Sequence, residues 1–209
     1  MNRSQSIRWV VKPIVFTVAL LPVAWLVWRG LHNDLGTNPI EMLNRYTGDW
    51  TLRFLLFTLA VTPLRRLTGL NELLRLRRML GLFAFFYACM HFLTWVWLDQ
   101  YFNWTEIVKD VVKRPFITLG FVCLVLLIPL AVTSTRGMVQ RLGARRWLRL
   151  HRLVYAVAIG GVIHYWWLVK SDIREPLMYA VILAVLLGFR MYWMWRAHSS
   201  AARAGGVGR

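Results

Sequence analysis

Long apolar runs, repeated along the chain and separated by short charged connections, constrain this sequence more than any other feature. A helix of roughly 20 apolar residues crosses a hydrocarbon core of about 30 Å. Six candidate spans occupy residues 13–28, 46–64, 79–98, 116–133, 147–169 and 176–195. The second is the weakest, because Asp49 and Arg53 interrupt its start. We therefore predict an all-α fold, a polytopic bundle of six transmembrane helices.

The charges of the connections alternate along the chain, as expected when short cytoplasmic loops collect Lys and Arg. Arginines crowd the second and fourth connections, at Arg65, Arg66, Arg75, Arg77 and Arg78, and at Arg136, Arg141, Arg145, Arg146 and Arg149. The connections at 30–45, 99–114 and 170–175 mix acidic with basic residues. If the second span were omitted, the two arginine-rich connections would lie on opposite sides of the membrane. The charge pattern therefore supports all six spans. The pattern predicts that both termini lie in the cytoplasm.

The composition also favours a membrane protein. The chain is 58% hydrophobic, with a mean hydropathy of +0.48, which is too apolar for a soluble domain of this size. Its net charge of +17 falls in clusters between apolar runs, which argues against a nucleic-acid-binding face. No small-residue cleavage site follows the first run, so we expect an uncleaved signal-anchor. We expect a transmembrane domain over residues 1–198 and a disordered cytoplasmic tail over the small, polar segment 199–209.

Three of the five histidines fall within the predicted spans: His91 in the third, and His151 and His164 in the fifth. Ionisable side chains in a membrane are costly and mark functional sites, and imidazoles on facing helices can ligate haem iron. At 1.5 Å of rise per residue, His91 lies about 18 Å, His164 about 25 Å and His151 about 6 Å from the cytoplasmic end of its helix. This order predicts that His91 and His164 hold one haem in the outer half of the membrane. The alternative for each histidine is a buried polar residue hydrogen-bonded to a neighbouring helix.

His151 lies near the cytoplasmic face, with no histidine opposite it on the third span. Arg77 and Arg78 occupy that depth, so a second haem there would need a different axial ligand. Together with Arg152, these groups could instead bind an anionic cofactor group such as a flavin phosphate or haem propionates.

The sequence supports neither a covalent haem attachment nor a nucleotide-binding domain. Cys89 and Cys123 both lie within apolar runs, so neither a disulfide framework nor a C-x-x-C-H haem attachment is available. There is no G-x-G-x-x-G fingerprint, so the chain lacks a nicotinamide-binding domain of its own. Any haem is held non-covalently, and its electrons come from another molecule.

Five stretches carry a family resemblance: LAVTPLRR (59–66), RRMLGLFAFFYACMHF (77–92), KRPFITLG (113–120), LAVTSTRGMVQRLGARRWLRLHRLVY (130–155) and IHYWWLVK (163–170). They resemble the MsrQ family, formerly called YedZ. This family belongs to the ferric-reductase-like transmembrane group, together with the membrane parts of NADPH oxidases. The resemblance extends from the first span to the sixth.

The resemblance implies a bacterial inner-membrane subunit that binds b-type haem and FMN. Such a subunit passes electrons from the quinone pool, or from a cytosolic flavin reductase, to a periplasmic molybdopterin-containing partner that repairs oxidised methionines in proteins. The family's haem histidines correspond to His91, His151 and His164. NADPH oxidases carry two histidines on each of two helices, whereas the third span here carries one. This departure counts against a second bis-histidine haem.

We therefore expect an electron-transfer subunit that forms a heterodimer with its reductase partner, on which methionine sulfoxide is reduced. The connections 30–45 and 99–114 are the expected docking surface. One alternative is a stand-alone transmembrane ferric or oxygen reductase, against which the missing nucleotide domain argues. Another is a haem-free transporter that uses the histidines as a proton relay.

Overall fold

The computed structural model describes residues 5, 7–169 and 171–205. Over these residues every regular element is helical and no strand occurs, which confirms the predicted all-α class. The α-helices of this part of the chain are α1 (Lys12–Leu31), α2 (Pro39–Thr68), α3 (Leu74–Thr94), α4 (Trp104–Lys113), α5 (Pro115–Val132), α6 (Arg136–Leu142), α7 (Ala144–Leu150), α8 (Leu153–Leu168) and α9 (Arg174–Gly205). A π-helical turn, Ile7–Val11, precedes α1, and another, Trp95–Asp99, follows α3.

The long helix α2 begins and ends at clear sequence signals. The Asn38 side chain accepts a hydrogen bond from the backbone N–H of Glu41 (3.3 Å), and Pro39 occupies the first helical position. These are the usual features of a helix N-terminus. Gly69 ends α2 in the left-handed conformation with φ 72°, which glycine adopts without a steric penalty.

Four helical stretches of the described chain are long and apolar enough to cross a membrane: Trp9–Leu31, Asn71–Asp99, Pro115–Val132 and Arg174–Ala197. The chain is therefore a multi-pass membrane protein. Helix α2 is long enough at 30 residues but carries charged groups, and α8 has only 16 residues. The six-span count and the cytoplasmic termini stay predictions.

The predicted fifth span, 147–169, is interrupted near its start. The chain turns at His151 and Arg152, so that α7 and α8 are separate helices. The Trp147 indole N–H donates to the carbonyl of Thr133 at 2.9 Å, and its ring stacks on His151 with centroids 3.8 Å apart. These contacts hold α7, the start of the predicted span, against the end of α5. Helix α7 therefore does not continue into α8.

The directions of the long helices alternate along the chain. His91 near the end of α3 contacts Asn44 near the start of α2, and His164 near the end of α8 contacts Phe116 at the start of α5. The Phe16 ring on α1 lies 5.3 Å from that of Phe83, centroid to centroid. Three residues further along α1, the carbonyl of Ala19 accepts from the hydroxyl of Tyr87 (2.8 Å), so α1 runs parallel to α3.

One end of the bundle, which we call the histidine end, carries His91 and His164. The opposite end, which we call the arginine end, carries residues 65–78 and 133–152. There the guanidinium of Arg66 lies over the ring of Trp193, late in α9, at 4.9 Å. Arg77 and Arg78 line one small cavity together with Trp147 and His151, so both arginine-rich connections lie at this end of the molecule.

Helix α2 occupies the centre of the bundle. Its inward residues include Leu52, Phe54, Leu55 and Leu59, all buried, and the Phe54 ring stacks on Tyr87 with centroids 5.1 Å apart. The peripheral helices α1 and α9 instead expose large apolar side chains, among them Phe16, Leu21, Val181 and Val185. Apolar outer faces around a packed centre are expected of a bundle surrounded by lipid.

The predicted tail begins at Ser199. In the structure α9 continues through the first part of this segment to Gly205, where Ala201, Ala202 and Ala204 are strong helix formers. Residues 206–209 lie outside the described residues.

Candidate functional site

His91 lies near the end of α3 and turns its ring against the neighbouring helix α2. Its Nδ1 donates to the backbone carbonyl of Asn44 at 3.0 Å, and the Thr47 hydroxyl oxygen lies 3.4 Å from the same nitrogen. A carbonyl oxygen only accepts hydrogen bonds. The proton of a neutral His91 therefore sits on Nδ1, and Nε2 keeps a free lone pair.

His164 repeats this arrangement near the end of α8. Its Nδ1 donates to the backbone carbonyl of Phe116, the second residue of α5, at 2.6 Å. The same reasoning leaves Nε2 as the nitrogen with a free lone pair. A histidine that binds a metal commonly donates its other ring N–H to a carbonyl, which fixes the tautomer and increases the basicity of the ligand.

The two histidine rings face one region of the bundle. Their centroids are 6.2 Å apart and their planes are inclined at 73°. Metal–imidazole nitrogen bonds of about 2 Å place two rings that share one metal ion on the order of 6 Å apart. The observed separation therefore suits two axial ligands on a single iron.

The histidines line the larger of the two cavities that we describe, which has a volume of about 740 Å³. This is within the range of about 300–1,000 Å³ that is typical of cofactor pockets. Its walls come from α2, α3, α5 and α8, with apolar side chains such as Leu52, Leu124 and Leu127. Its rim includes polar residues from three connections: Asn38, Glu41, Arg45, Asp99, Arg114, Ser171 and Asp172.

These residues meet the requirements of a haem. The porphyrin supplies four of the iron's ligands, so two histidines complete the set. Among the described residues no group of three or more His, Cys, Asp or Glu is placed to hold a bare metal ion. Arg45 and Arg114 line the cavity and would be cationic partners for haem propionates. Each now pairs with a carboxylate, Arg45 with Glu41 (2.9 Å) and Arg114 with Asp110 (3.1 Å).

The structure places His151 elsewhere, at the arginine end. Its Nε2 lies 3.0 Å from the hydroxyl oxygen of Thr133, and that hydroxyl donates to the carbonyl of Pro129 at 2.6 Å. The Thr133 oxygen therefore accepts from Nε2–H of His151. The hydrogen bond and the stacked Trp147 ring give His151 the surroundings of a packed polar side chain.

Arg77 and Arg78 line a small cavity of about 150 Å³ together with His151, Trp147 and Ser134. Arg152 is exposed and lines neither of the two cavities that we describe. Pockets for small molecules and cofactors typically have volumes of about 300–1,000 Å³. This cavity is therefore too small to enclose FMN.

A charged network lies beside the larger cavity. Arg53 donates to the Tyr179 hydroxyl at 2.9 Å and lies 3.9 Å from Asp49, one helical turn away. The Tyr165 hydroxyl donates to Glu175 at the start of α9. These contacts explain how α2 carries two charged side chains in the bundle, because charges in a membrane pair with one another and face the interior.

Sequence reasoning missed the carbonyls of Asn44 and Phe116, because a backbone carbonyl leaves no mark in the sequence. It also missed Gly48 and Gly120, which lie against the rings of His91 and His164. A glycine inside a helical pattern is a detectable signal, since it costs about 1 kcal/mol relative to alanine and often marks close backbone approach.

Comparisons with known proteins agree with the family resemblance seen in the sequence. The family model described as "Ferric reductase like transmembrane component" matches residues 47–162, a segment that contains His91 and His151 and ends two residues before His164. A protein of Herminiimonas arsenicoxydans is 58% identical over 191 residues, covering 90% of this chain and 88% of its own. One of Ralstonia nicotianae is 53% identical, with 94% and 92% covered. One of Rhodospirillum rubrum is 55% identical, with 85% of each covered.

Each of these relatives is named "Protein-methionine-sulfoxide reductase heme-binding subunit MsrQ". The alignments cover most of both chains, so the similarity is not confined to one motif. The chain belongs to the MsrQ family of ferric-reductase-like transmembrane proteins.

Proposed function

We propose that this chain holds one b-type haem between His91 and His164 and serves as the electron-transfer subunit of a protein-methionine-sulfoxide reductase. One observation carries the proposal. Two imidazoles from different helices line one cavity with centroids 6.2 Å apart, and each has its Nδ1 engaged by a carbonyl. The names of the relatives support the same cofactor and the same system.

When bound, the haem supplies a one-electron carrier. The chain's own residues prepare the site for it. The carbonyls of Asn44 and Phe116 fix which histidine nitrogen is free, and the apolar walls around Leu52 and Leu127 exclude water. Arg45 and Arg114 at the rim would neutralise the propionate carboxylates of the haem.

The position of the cavity indicates where electrons leave. Its rim is formed by the connections at 30–45, 99–114 and 170–175, which the charge pattern predicts to be periplasmic. A membrane with the periplasm on one side and the cytoplasm on the other is the bacterial inner membrane. A periplasmic molybdopterin-containing subunit docked over the first two connections would therefore lie next to the cofactor. Reduction of methionine sulfoxide takes place on that partner.

The same geometry favours the quinone pool as the electron donor. His91 follows the start of α3 by 17 residues, or about 25 Å along the helix. A cytosolic flavin donor would dock at the arginine end, so its electrons would have to cross this distance to reach the histidines. A quinol dissolved in the lipid reaches the histidine end from the side.

An absorption spectrum of the purified chain tests the proposal directly. We expect a Soret band, with sharp α and β bands on reduction, as for low-spin iron with two histidines. His91→Ala and His164→Ala should each lose nearly all bound haem, because each removes one axial ligand. His151→Ala is the matched control and should retain it.

Two outcomes would contradict the proposal. The first is a folded wild-type preparation that stays colourless after growth with ample haem. The second is an equal loss of haem in all three variants, since that would remove the distinction between the paired histidines and His151.

A further inference from the structure

The two candidate axial histidines are held by the same device, built twice on different helices. On α2 the carbonyl of Asn44 accepts from His91, and a glycine, Gly48, follows four residues later. On α5 the carbonyl of Phe116 accepts from His164, and Gly120 again follows four residues later. Residues four apart lie above one another on a helix face, so each glycine adjoins its accepting carbonyl.

Each glycine leaves the space that an imidazole ring occupies. A Cβ atom at Gly120 would lie 2.8 Å from Cε1 and 2.9 Å from Nδ1 of His164. A Cβ at Gly48 would lie 3.2 Å from Cε1 and 3.3 Å from Nδ1 of His91. The first contact is too short to exist without movement, and the second is tight. A β-carbon at either position would push the ring away from the backbone of the helix that orients it.

Other helical glycines do not show this pattern. A Cβ at Gly81, on the same helix as His91, would meet the Thr58 methyl at 3.7 Å and the Thr58 hydroxyl oxygen at 4.0 Å, both ordinary van der Waals distances. A Cβ at Gly188 on α9 would meet nothing within 4 Å. The crowding against an imidazole is therefore specific to the two glycines that adjoin the Nδ1 acceptors.

We propose that Gly48 and Gly120 are positioning residues that let each axial imidazole lie against a neighbouring helix, so that a backbone carbonyl sets its rotation and its strength as a ligand. This inference rests on the proposed haem function. The hydrogen bond from Nδ1 makes the histidine a more basic ligand, which favours oxidised iron. Loss of that bond should raise the reduction potential.

The test compares Gly120→Ala and Gly48→Ala with Gly81→Ala in haem-loaded protein. Gly120→Ala should lower haem affinity about 10-fold or more, the usual cost of losing a partner of a metal ligand. The haem that remains should show a raised potential and altered electron paramagnetic resonance g values. Gly48→Ala should change the same quantities in the same direction but less, and Gly81→Ala should match the wild type.

A double variant keeps the test valid if Gly120→Ala folds poorly. In a His164→Ala background the ring is absent, so adding Gly120→Ala should cause no further loss of thermal stability in the haem-free protein. An equal loss in both backgrounds would show that the glycine serves packing alone and would overturn the inference.

The inference also fails if Gly120→Ala keeps the wild-type potential and g values, or if Gly81→Ala shifts them equally. These results differ from a failure of the proposed function, in which the wild-type protein itself would lack the bis-histidine spectrum.

Discussion

At the scale of single residues, the arginine on the central helix shows how a polar group is kept within the bundle. Arg53 reaches the Tyr179 hydroxyl, the Asp49 carboxylate and the face of Trp50, with its guanidinium 4.9 Å from the ring centroid. Three partners on two helices satisfy a side chain that would otherwise be costly in a membrane. The network joins α2 to α9 beside the cavity.

Removing one member of this network should destabilise the protein more than removing both charges. We expect Arg53→Met to cost about 1–3 kcal/mol of unfolding free energy, because Asp49 is left without its cationic partner. The double variant Asp49→Asn with Arg53→Met should recover part of that loss. Thermal unfolding in detergent measures both, and a double variant less stable than Arg53→Met would contradict this account.

For the histidines, the sequence predicted which two residues pair but not the hydrogen-bond acceptors that orient their rings. Counting residues from the helix ends placed His91 and His164 in the outer half of the membrane, and the structure brings their rings together. Their hydrogen-bond acceptors are main-chain atoms of Asn44 and Phe116. The identity of those residues carries no information about the role of their carbonyls.

At the scale of helices, α5 and α8 approach closely where a glycine meets a cysteine. A Cβ at Gly160 would lie 2.6 Å from the Cys123 sulfur, and that thiol points towards the Val157 carbonyl at 3.8 Å. Small residues allow helices in a membrane to pack at short distance. We infer that this contact sets the separation between α5 and α8, and therefore the position of His164.

A substitution at this contact should be reversible by a second one. We expect Gly160→Ala to cost about 1–3 kcal/mol through overpacking and to reduce haem retention. Cys123→Ala in the same protein should restore most of both, because it removes the sulfur atom that the new methyl group meets. Thermal unfolding and haem content are the measurements. No recovery in the double variant would show that this contact does not set the spacing.

Helix boundaries show where sequence reasoning reached its limit. The start of α2 follows from Asn38 and Pro39, and its end from Gly69, all readable as local signals. The break between α7 and α8 at His151 was not predicted, because the interactions of Trp147 with Thr133 and His151 that accompany it are tertiary. Apolar runs therefore located the helices better than they located this turn.

At the scale of the whole molecule, the number of membrane crossings decides where the arginine-rich connections lie. With six crossings and the predicted cytoplasmic N-terminus, residue 68 at the end of α2 faces the cytoplasm and residue 171 faces the periplasm. If only the four most apolar stretches crossed, residue 68 would face the periplasm. The alternating directions of the long helices favour six.

Cysteine labelling distinguishes the two topologies. In a background without Cys89 and Cys123, a membrane-impermeant maleimide should label Ser171→Cys in cells with a permeabilised outer membrane. Thr68→Cys should react only after the inner membrane is opened. Equal labelling of both positions before that step would exclude six crossings.

The repeated carbonyl and glycine pair also has a consequence for how the protein is made. Each histidine finds its acceptor on the long helix that it packs beside, α3 on α2 and α8 on α5. The orientation of each histidine therefore depends on its own pair of helices and not on the other pair. If haem binds as proposed, it would connect two helix pairs in which both ligands are already oriented, so haem supply would act late in maturation.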